Sequence, residues 1–221
     1  MMKPLLVYCY DAYCGWCYGF SNVIKKIAAD YKNLLDTEVL SGGLILPAEP
    51  KPLRMLASFL HGSYKDVEAT TGIKFGNDYL WHIENPDATD WYPDSRKASI
   101  ALCIFKEYYP ERQVEFATDL SYSLYFEGCD LTDNEAYRHL LAKYHLPEAD
   151  FYEKLIAKEY AEKAETEFAL VKQFGVSGFP AVFIQTGDSR FHTVAIGYTP
   201  YETLKKNIED VLHSMTIFSS C

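Results

Sequence analysis

The sequence predicts an α/β fold in which a small βαβ…ββα sheet unit is interrupted by a large all-helical insertion. Three observations predict it. Apolar runs of strand length occur only towards the two ends of the 221-residue chain. The stretch between them carries helical periods alone. Pro47, Pro50 and Pro52 mark the first junction. With 48% hydrophobic and 24% charged residues the chain buries a sizeable core, which excludes disorder, and 12 Gly with 10 Pro exclude a collagen-like repeat.

Residues 5–10 form a short apolar and aromatic run that suits a buried strand, ended by Asp11, Ala12 and Tyr13. From Gly15 to about residue 35 the apolar positions fall at Phe20, Val23, Ile24, Ile27, Ala28, Tyr31 and Leu35, the spacing of an amphipathic helix. Residues 37–44 read as a second strand closed by Gly42-Gly43, so the first 46 residues make a βαβ unit. Helical periods then cover 53–61, 63–71, 95–109, 112–127, 133–144 and 150–174. Thr132-Asp133-Asn134-Glu135 reads as a capping box, and Leu146-Pro147 as a proline at a helix start. The last of these helices turns Phe151, Leu155, Ala161, Ala164, Phe168, Val171 and Phe174 inward and stops at Gly175. Residues 181–184 and 191–196 read as strands joined by a hairpin through Gly187-Asp188. Thr199-Pro200-Tyr201-Glu202 opens a closing helix that buries Leu204, Ile208, Val211 and Leu212. The predicted organisation is a discontinuous domain, residues 1–46 and 170–221, around a helical insertion domain, residues 53–169.

Lys+Arg 21 against Asp+Glu 31 gives a net charge of −10, and no basic cluster is denser than Lys25-Lys26 or Lys205-Lys206. A nucleic-acid partner is therefore not expected. No stretch approaches the roughly 20 apolar residues of a membrane span, so no membrane partner is expected either. The apolar stretch at the N-terminus is shorter than the roughly 7–15 residues of a signal-peptide core. The expected location is the cytoplasm.

Six cysteines are too few and too scattered for a secreted disulfide scaffold. Cys9, Cys103 and Cys129 read as small buried apolar residues, and Cys221 is the last residue. Cys14-Gly15-Trp16-Cys17 is different, because it lies between the end of a strand and the start of a helix. Side chains three apart on a first helical turn are neighbours, so the two sulfurs can close a disulfide. Unpaired N–H groups and the helix dipole stabilise an anion at that terminus, which suits the thiolate of an attacking Cys14. Cys17, one turn further in, reads as the resolving thiol. Half of a zinc site is the competing interpretation, but it needs a second pair or spaced histidines, and neither is present. Cys9, Cys14 and Cys17 also echo an iron–sulfur spacing. The next cysteine, however, is Cys103, and Cys9 falls inside the first strand. A redox dithiol is the expected chemistry, with no metal site and no organic cofactor.

A second motif, Gly175-Val176-Ser177-Gly178-Phe179-Pro180, directly precedes the third strand. The two motifs together resemble the thioredoxin superfamily: a strand, then Asp11-Ala12-Tyr13-Cys14-Gly15-Trp16-Cys17-Tyr18, then a late Gly-Phe-Pro before a hairpin. The likeness is closer to DsbA-like oxidoreductases, which carry a helical insertion in the thioredoxin fold, and to a subgroup of predicted protein-disulfide isomerases. Motif similarity covers about residues 3–44 and 170–213; the insertion matches by length and helical character. The resemblance implies that Pro180 is cis and sits against the dithiol, with Phe179 offering backbone groups to an extended substrate. Asp11 is the acidic residue nearest Cys14 in sequence. It reads either as a group tuning the thiol or relaying a proton, or as a strand-end turn former. Trp16, Gly15 and Tyr18 are candidate substrate contacts; Tyr18 reads equally well as packing against the helical block. Trp81, Trp91 and Tyr92 are candidates to line the groove facing the dithiol. Where the strongly oxidising relatives have Pro-His between their cysteines, this chain has Gly-Trp. The expected potential is thus nearer the thioredoxin-to-isomerase range, roughly −270 to −180 mV, than about −120 mV.

The expected function is a thiol–disulfide oxidoreductase acting on disulfide-containing peptides or proteins, as reductase or isomerase, with glutathione or a thioredoxin-like donor as reductant. Two alternatives remain at this point. Kappa-class glutathione transferases and 2-hydroxychromene-2-carboxylate isomerases share the helical insertion, but the resemblance implies a serine in place of the first cysteine there. A thiol metal-binding module is the other.

Overall fold

The computed structural model describes residues 3–187 and 190–218. A four-stranded sheet runs in the order β2-β1-β3-β4. Strand β1 (Leu5–Tyr10) pairs parallel with β2 (Asp36–Ser41), across the crossover helix α1 (Gly15–Tyr31). On its other edge β1 pairs antiparallel with β3 (Ala181–Gly187), Tyr8 opposite Val182, and β3 pairs antiparallel with β4 (Arg190–Ile196). Asp188, half of the predicted turn, lies outside the described residues, as does Cys221; Gly187 is opposite Arg190.

As a central strand covered on both faces, β1 is apolar almost throughout. Leu6, Tyr8 and Tyr10 face α1 and the helical block. Val7 and Cys9 face the other way, into a cluster closed by Val171 and Phe183. Cys9 is fully buried there, on the face away from the dithiol.

Between the sheet halves run α2 (Ala57–Thr71), α3 (Asn77–Glu84), α4 (Ser95–Tyr108), α5 (Gln113–Tyr125), α6 (Arg138–Tyr144), α7 (Glu148–Leu155) and α8 (Lys158–Gln173). Helix α9 (Tyr201–Phe218) closes the chain, with Leu204 and Ile208 buried. The buried cluster of α1 continues without a break through α4, α5 and α7. Helices α1 and α2 pack closely, because a Cβ on Gly19 would meet Thr71 and Val67 side chains at 2.8 Å.

Several boundaries differ from the sequence reading. Helix α2 runs through Gly62 as one helix after a separate 3₁₀ turn, Leu53–Met55, and ends on Gly72 at φ 75°. Helix α3 was not expected. It has no side-chain cap and spans only 8 residues; Tyr79 and Ile83 bury it, a tertiary effect with little local signal. The long final helix is two, broken at Ala157, whose backbone is extended without any proline or glycine to announce it. The cap before α6 is Asp133, which accepts from the Glu135 N–H, while the Thr132 hydroxyl donates to Asp130. Thr199 likewise donates to the Gly197 carbonyl rather than capping α9. Pro147 is the residue preceding α7. Cys103 is buried, but Cys129 is only half-buried.

Candidate active site

Cys14 is the N-cap of α1, with extended backbone (φ −93°, ψ 106°) and its sulfur accepting from the Cys17 N–H at 3.2 Å. Its own N–H is held by the Asp11 carbonyl at 3.1 Å. The sulfur thus stands at the head of the helix dipole, already bonded to one of the orphan N–H groups. Both cysteines are free thiols. Cys17 is 1% exposed and lies behind Cys14. Burial pushes its thiol well above the ordinary range, and the hydrogen bond and negative charge of Cys14 push it further in the same direction.

The Phe179–Pro180 peptide bond is cis, as the resemblance implied. It brings the Phe179 carbonyl to Cys14, which donates to it at 3.4 Å. The tip of the Phe179 ring meets the exit of β2: a Cβ on Gly42 would stand 1.9 Å from its Cζ. Gly42 is therefore part of the site, and nothing in the local sequence distinguishes it from a turn glycine. We expect Gly42→Ala to displace the ring, slow disulfide exchange roughly tenfold by misaligning the Phe179 carbonyl, and cost about 1–3 kcal/mol of stability. Insulin-reduction rates beside a urea titration check both.

Asp11 is fully buried, and its carboxylate is occupied. Oδ1 accepts from the Tyr13 N–H at 2.9 Å and the Ser95 hydroxyl at 2.9 Å, and Oδ2 accepts from the Leu44 N–H at 2.7 Å. One side chain thus ties together the end of β1, the exit of β2 and the head of α4. Burial raises its pKa, against the lowering effect of these bonds. The turn-former reading describes these contacts; at Cys17 the hydrogen bond with the Asp11 backbone lowers the thiol's pKa and the Asp11 charge acts against it.

Cys14 opens onto a cavity of about 380 Å³ between α2, the β2 exit and the Phe75–Tyr79–Tyr125 aromatic cluster. Gly15, half-buried Trp16 and Phe179 also line it. Tyr18 does not. Expected among the substrate contacts, it is 2% exposed, stacks on Tyr125 at 5.3 Å and donates from its hydroxyl to the Lys74 carbonyl at 2.8 Å, so packing won. The expected groove residues differ too. Trp91 is buried and stacked on His82 at 3.8 Å, while Trp81 and Tyr92 are exposed and line no part of the dithiol cavity. Leu44, Ile45, Leu56, Phe59, Leu60 and Tyr64 take that place. Their signal was only an unusual run of apolar residues beside the proline junction. Among the described residues no three His, Cys, Asp or Glu side chains are grouped to hold a metal ion.

The profile of the DSBA-like thioredoxin domain matches residues 6–209. Among solved structures, a "putative protein disulfide isomerase from Nitrosomonas europaea" superposes with a TM-score of 0.84 at 26% identity, covering 96% of this chain and 99% of that one. The cytosolic disulfide reductase DsbM from Pseudomonas aeruginosa has a TM-score of 0.75 at 24% identity, covering 95% and 98%. Its structure with GSH gives 0.72 at 24% identity, covering 95% and 99%. A 2-hydroxychromene-2-carboxylate isomerase shares the fold at 13% identity, with a TM-score of 0.62 and 98% of each chain covered. No curated protein matches by sequence.

Proposed function

The chain belongs to the DSBA-like thioredoxin domain family, and we propose that within it this protein reduces or isomerises disulfides of peptide or protein substrates through Cys14 and Cys17. The observation that carries this reading is the asymmetry of the two sulfurs. One caps a helix and, though only 6% exposed, lines the cavity; the other is 1% exposed and lines no part of it.

The Cys14 thiolate attacks a substrate disulfide, expelling one substrate sulfur as a thiolate and leaving a mixed disulfide beside Phe179 and Pro180. Cys17 then attacks the Cys14 sulfur and releases the second substrate thiol. The two steps are ordered by electrostatics. Burial above all holds Cys17 protonated, and the hydrogen bond and charge of Cys14 add to it. Once Cys14 is bound in the mixed disulfide those two contributions vanish, and Cys17 ionises more readily. Asp11 supports the site by fixing the loops on either side of Cys14.

Reduction or isomerisation is the favoured direction because Gly15 and Trp16 supply no imidazolium to stabilise the reduced form. The Pseudomonas aeruginosa relative, named a cytosolic disulfide reductase, supports the same direction and a cytoplasmic setting. A thiol donor, glutathione or a thioredoxin-like protein, returns the dithiol to its reduced state. The test is a redox titration of the Cys14–Cys17 pair in glutathione buffers. The expected potential lies between roughly −270 and −180 mV; a value near −120 mV overturns the assignment of direction.

A further inference from the structure

A second cavity, of about 450 Å³, lies between α1 and α5 and shares no lining residue with the cavity beside Cys14. Tyr18, Ser21, Asn22 and Lys25 reach it from α1, at the i, i+3, i+4 and i+7 spacing of a single helix face. A face turned towards a neighbouring helix is ordinarily apolar. Beyond Tyr18, this one carries a hydroxyl, an amide and an ammonium instead. Ser21 and Thr118, which meet across the two helices, are buried, and their short side chains leave the space unfilled.

Three ammonium groups line this space in a chain of net charge −10: Lys25, Lys74 and Lys143. Two of them are held in place. Lys143 pairs with Asp119 at 2.6 Å, and the same Asp119 oxygen accepts from the Tyr144 hydroxyl at 2.6 Å. Lys74 pairs at 3.1 Å with Glu68, which does not line the cavity. Asp119 and Glu68 thus offset two of the three charges. The unbalanced one is Lys25, which has no side-chain partner among the described residues, and neither has Asn22. Tyr122 and Phe126 also line the cavity; their rings stack at 4.8 Å and 19°, and each residue is 41% exposed.

We propose that this cavity binds a small anion in which a planar aromatic ring is joined through a polar linker to the anionic group, the chemistry of a nucleoside monophosphate. The ring lies against Tyr122 and Phe126, covering aromatic surface that the chain leaves in solvent. The anionic group sits among the ammoniums. Each ammonium has three N–H donors, so Lys74 and Lys143 keep donors beyond their carboxylate partners, and Lys25 keeps all of its own. The Asn22 amide and the Ser21 and Thr118 hydroxyls supply polar contacts for the linker. The volume falls within the roughly 300–1,000 Å³ of small-molecule sites. This site is independent of the oxidoreductase reading, since none of its residues carries the exchange chemistry.

Isothermal titration calorimetry of the full-length, reduced protein tests the proposal with AMP, adenosine and ribose 5-phosphate. AMP is expected to bind one-to-one. Adenosine lacks the anion and ribose 5-phosphate lacks the ring, and each is expected to bind at least about tenfold more weakly. Lys25 is exposed and Tyr122 largely so, and Lys25→Glu and Tyr122→Ala are each expected to weaken AMP at least about fivefold with the melting temperature kept. Lys26, the exposed neighbour that lies over the Tyr201 ring outside the cavity, is the control: Lys26→Glu is expected to leave the affinity within about twofold. No saturable AMP binding, equal binding of all three compounds, an affinity unmoved by Lys25→Glu or by Tyr122→Ala, or an equal loss in Lys26→Glu overturns the site. Insulin reduction, measured alongside, reports separately on the dithiol.

Discussion

Cys14→Ser is expected to bring insulin-disulfide reduction down to the uncatalysed rate, whereas Cys17→Ser is expected to leave the first attack intact and accumulate protein trapped in mixed disulfides. The difference follows from position. Cys14 holds the sulfur that accepts the Cys17 N–H and lines the cavity, so no other group can deliver a thiolate to that point. Cys9 and Cys103, the other buried thiols, have burial raising them to about 12 in the first case and still higher in the second. Both are protonated at neutral pH and cannot substitute. Cys17→Ser removes only the resolving group, and the buried serine that replaces it cannot displace a sulfur. Mass spectrometry after mixing with a peptide disulfide separates the outcomes. A Cys14→Ser variant that retains exchange, or a Cys17→Ser variant that forms no adduct, refutes the assignment of roles.

Glu167→Ala is expected to cost about 3–5 kcal/mol of stability, because it removes a carboxylate from an ammonium whose side chain is only 14% exposed. Glu167 accepts from the Ser41 N–H at 2.8 Å and pairs with Lys106 Nζ at 2.7 Å. Lys106 also pairs with Glu38 at 2.7 Å and donates to the Val39 carbonyl, so α4, α8 and β2 meet at one amine. Burial works against that ammonium, and Glu167 followed by Glu38 more than offsets it, so Lys106 titrates above ordinary lysine. Removing Glu167 leaves the amine with only the half-exposed Glu38 carboxylate and a carbonyl, and leaves the Ser41 N–H without its acceptor. Urea unfolding measures the loss. Glu167→Gln, which keeps an oxygen acceptor and the shape, should recover part of it; a cost below about 1 kcal/mol for Glu167→Ala would mean that water replaces the pair.

Much of this site was legible because its chemistry is local. The strand end, the four-residue Cys14–Cys17 motif and the amphipathic α1 are contiguous in sequence. A thiol at the first turn of a helix needs nothing beyond that to meet an N–H. The late Gly-Phe-Pro was legible as a motif, and its juxtaposition with the dithiol came from resemblance alone. Gly42 and the apolar wall from Leu44 to Leu60 were not legible, because each gains meaning only from a partner far along the chain. Phe179 lies on Gly42, and Ser95 donates to Asp11 from 84 positions away.

Tyr18 and the 156–157 break show the same limit from the other side. An aromatic residue flanking the dithiol has one face towards solvent and one towards the insertion. Only the stack on Tyr125 and the edge contact with Phe75 show that its ring turns inward. The helical period read over residues 150–174 is interrupted at Ala157, whose extended backbone no proline or glycine announces.

The sequence by itself determined the α/β order, the helical interruption and the placing of two cysteines at the head of α1, since period and spacing act over a few residues. Tertiary structure alone decided which carboxylates are buried, which aromatics are walls and which side chains line the cavity. Those properties depend on contacts closed between segments that no local pattern records.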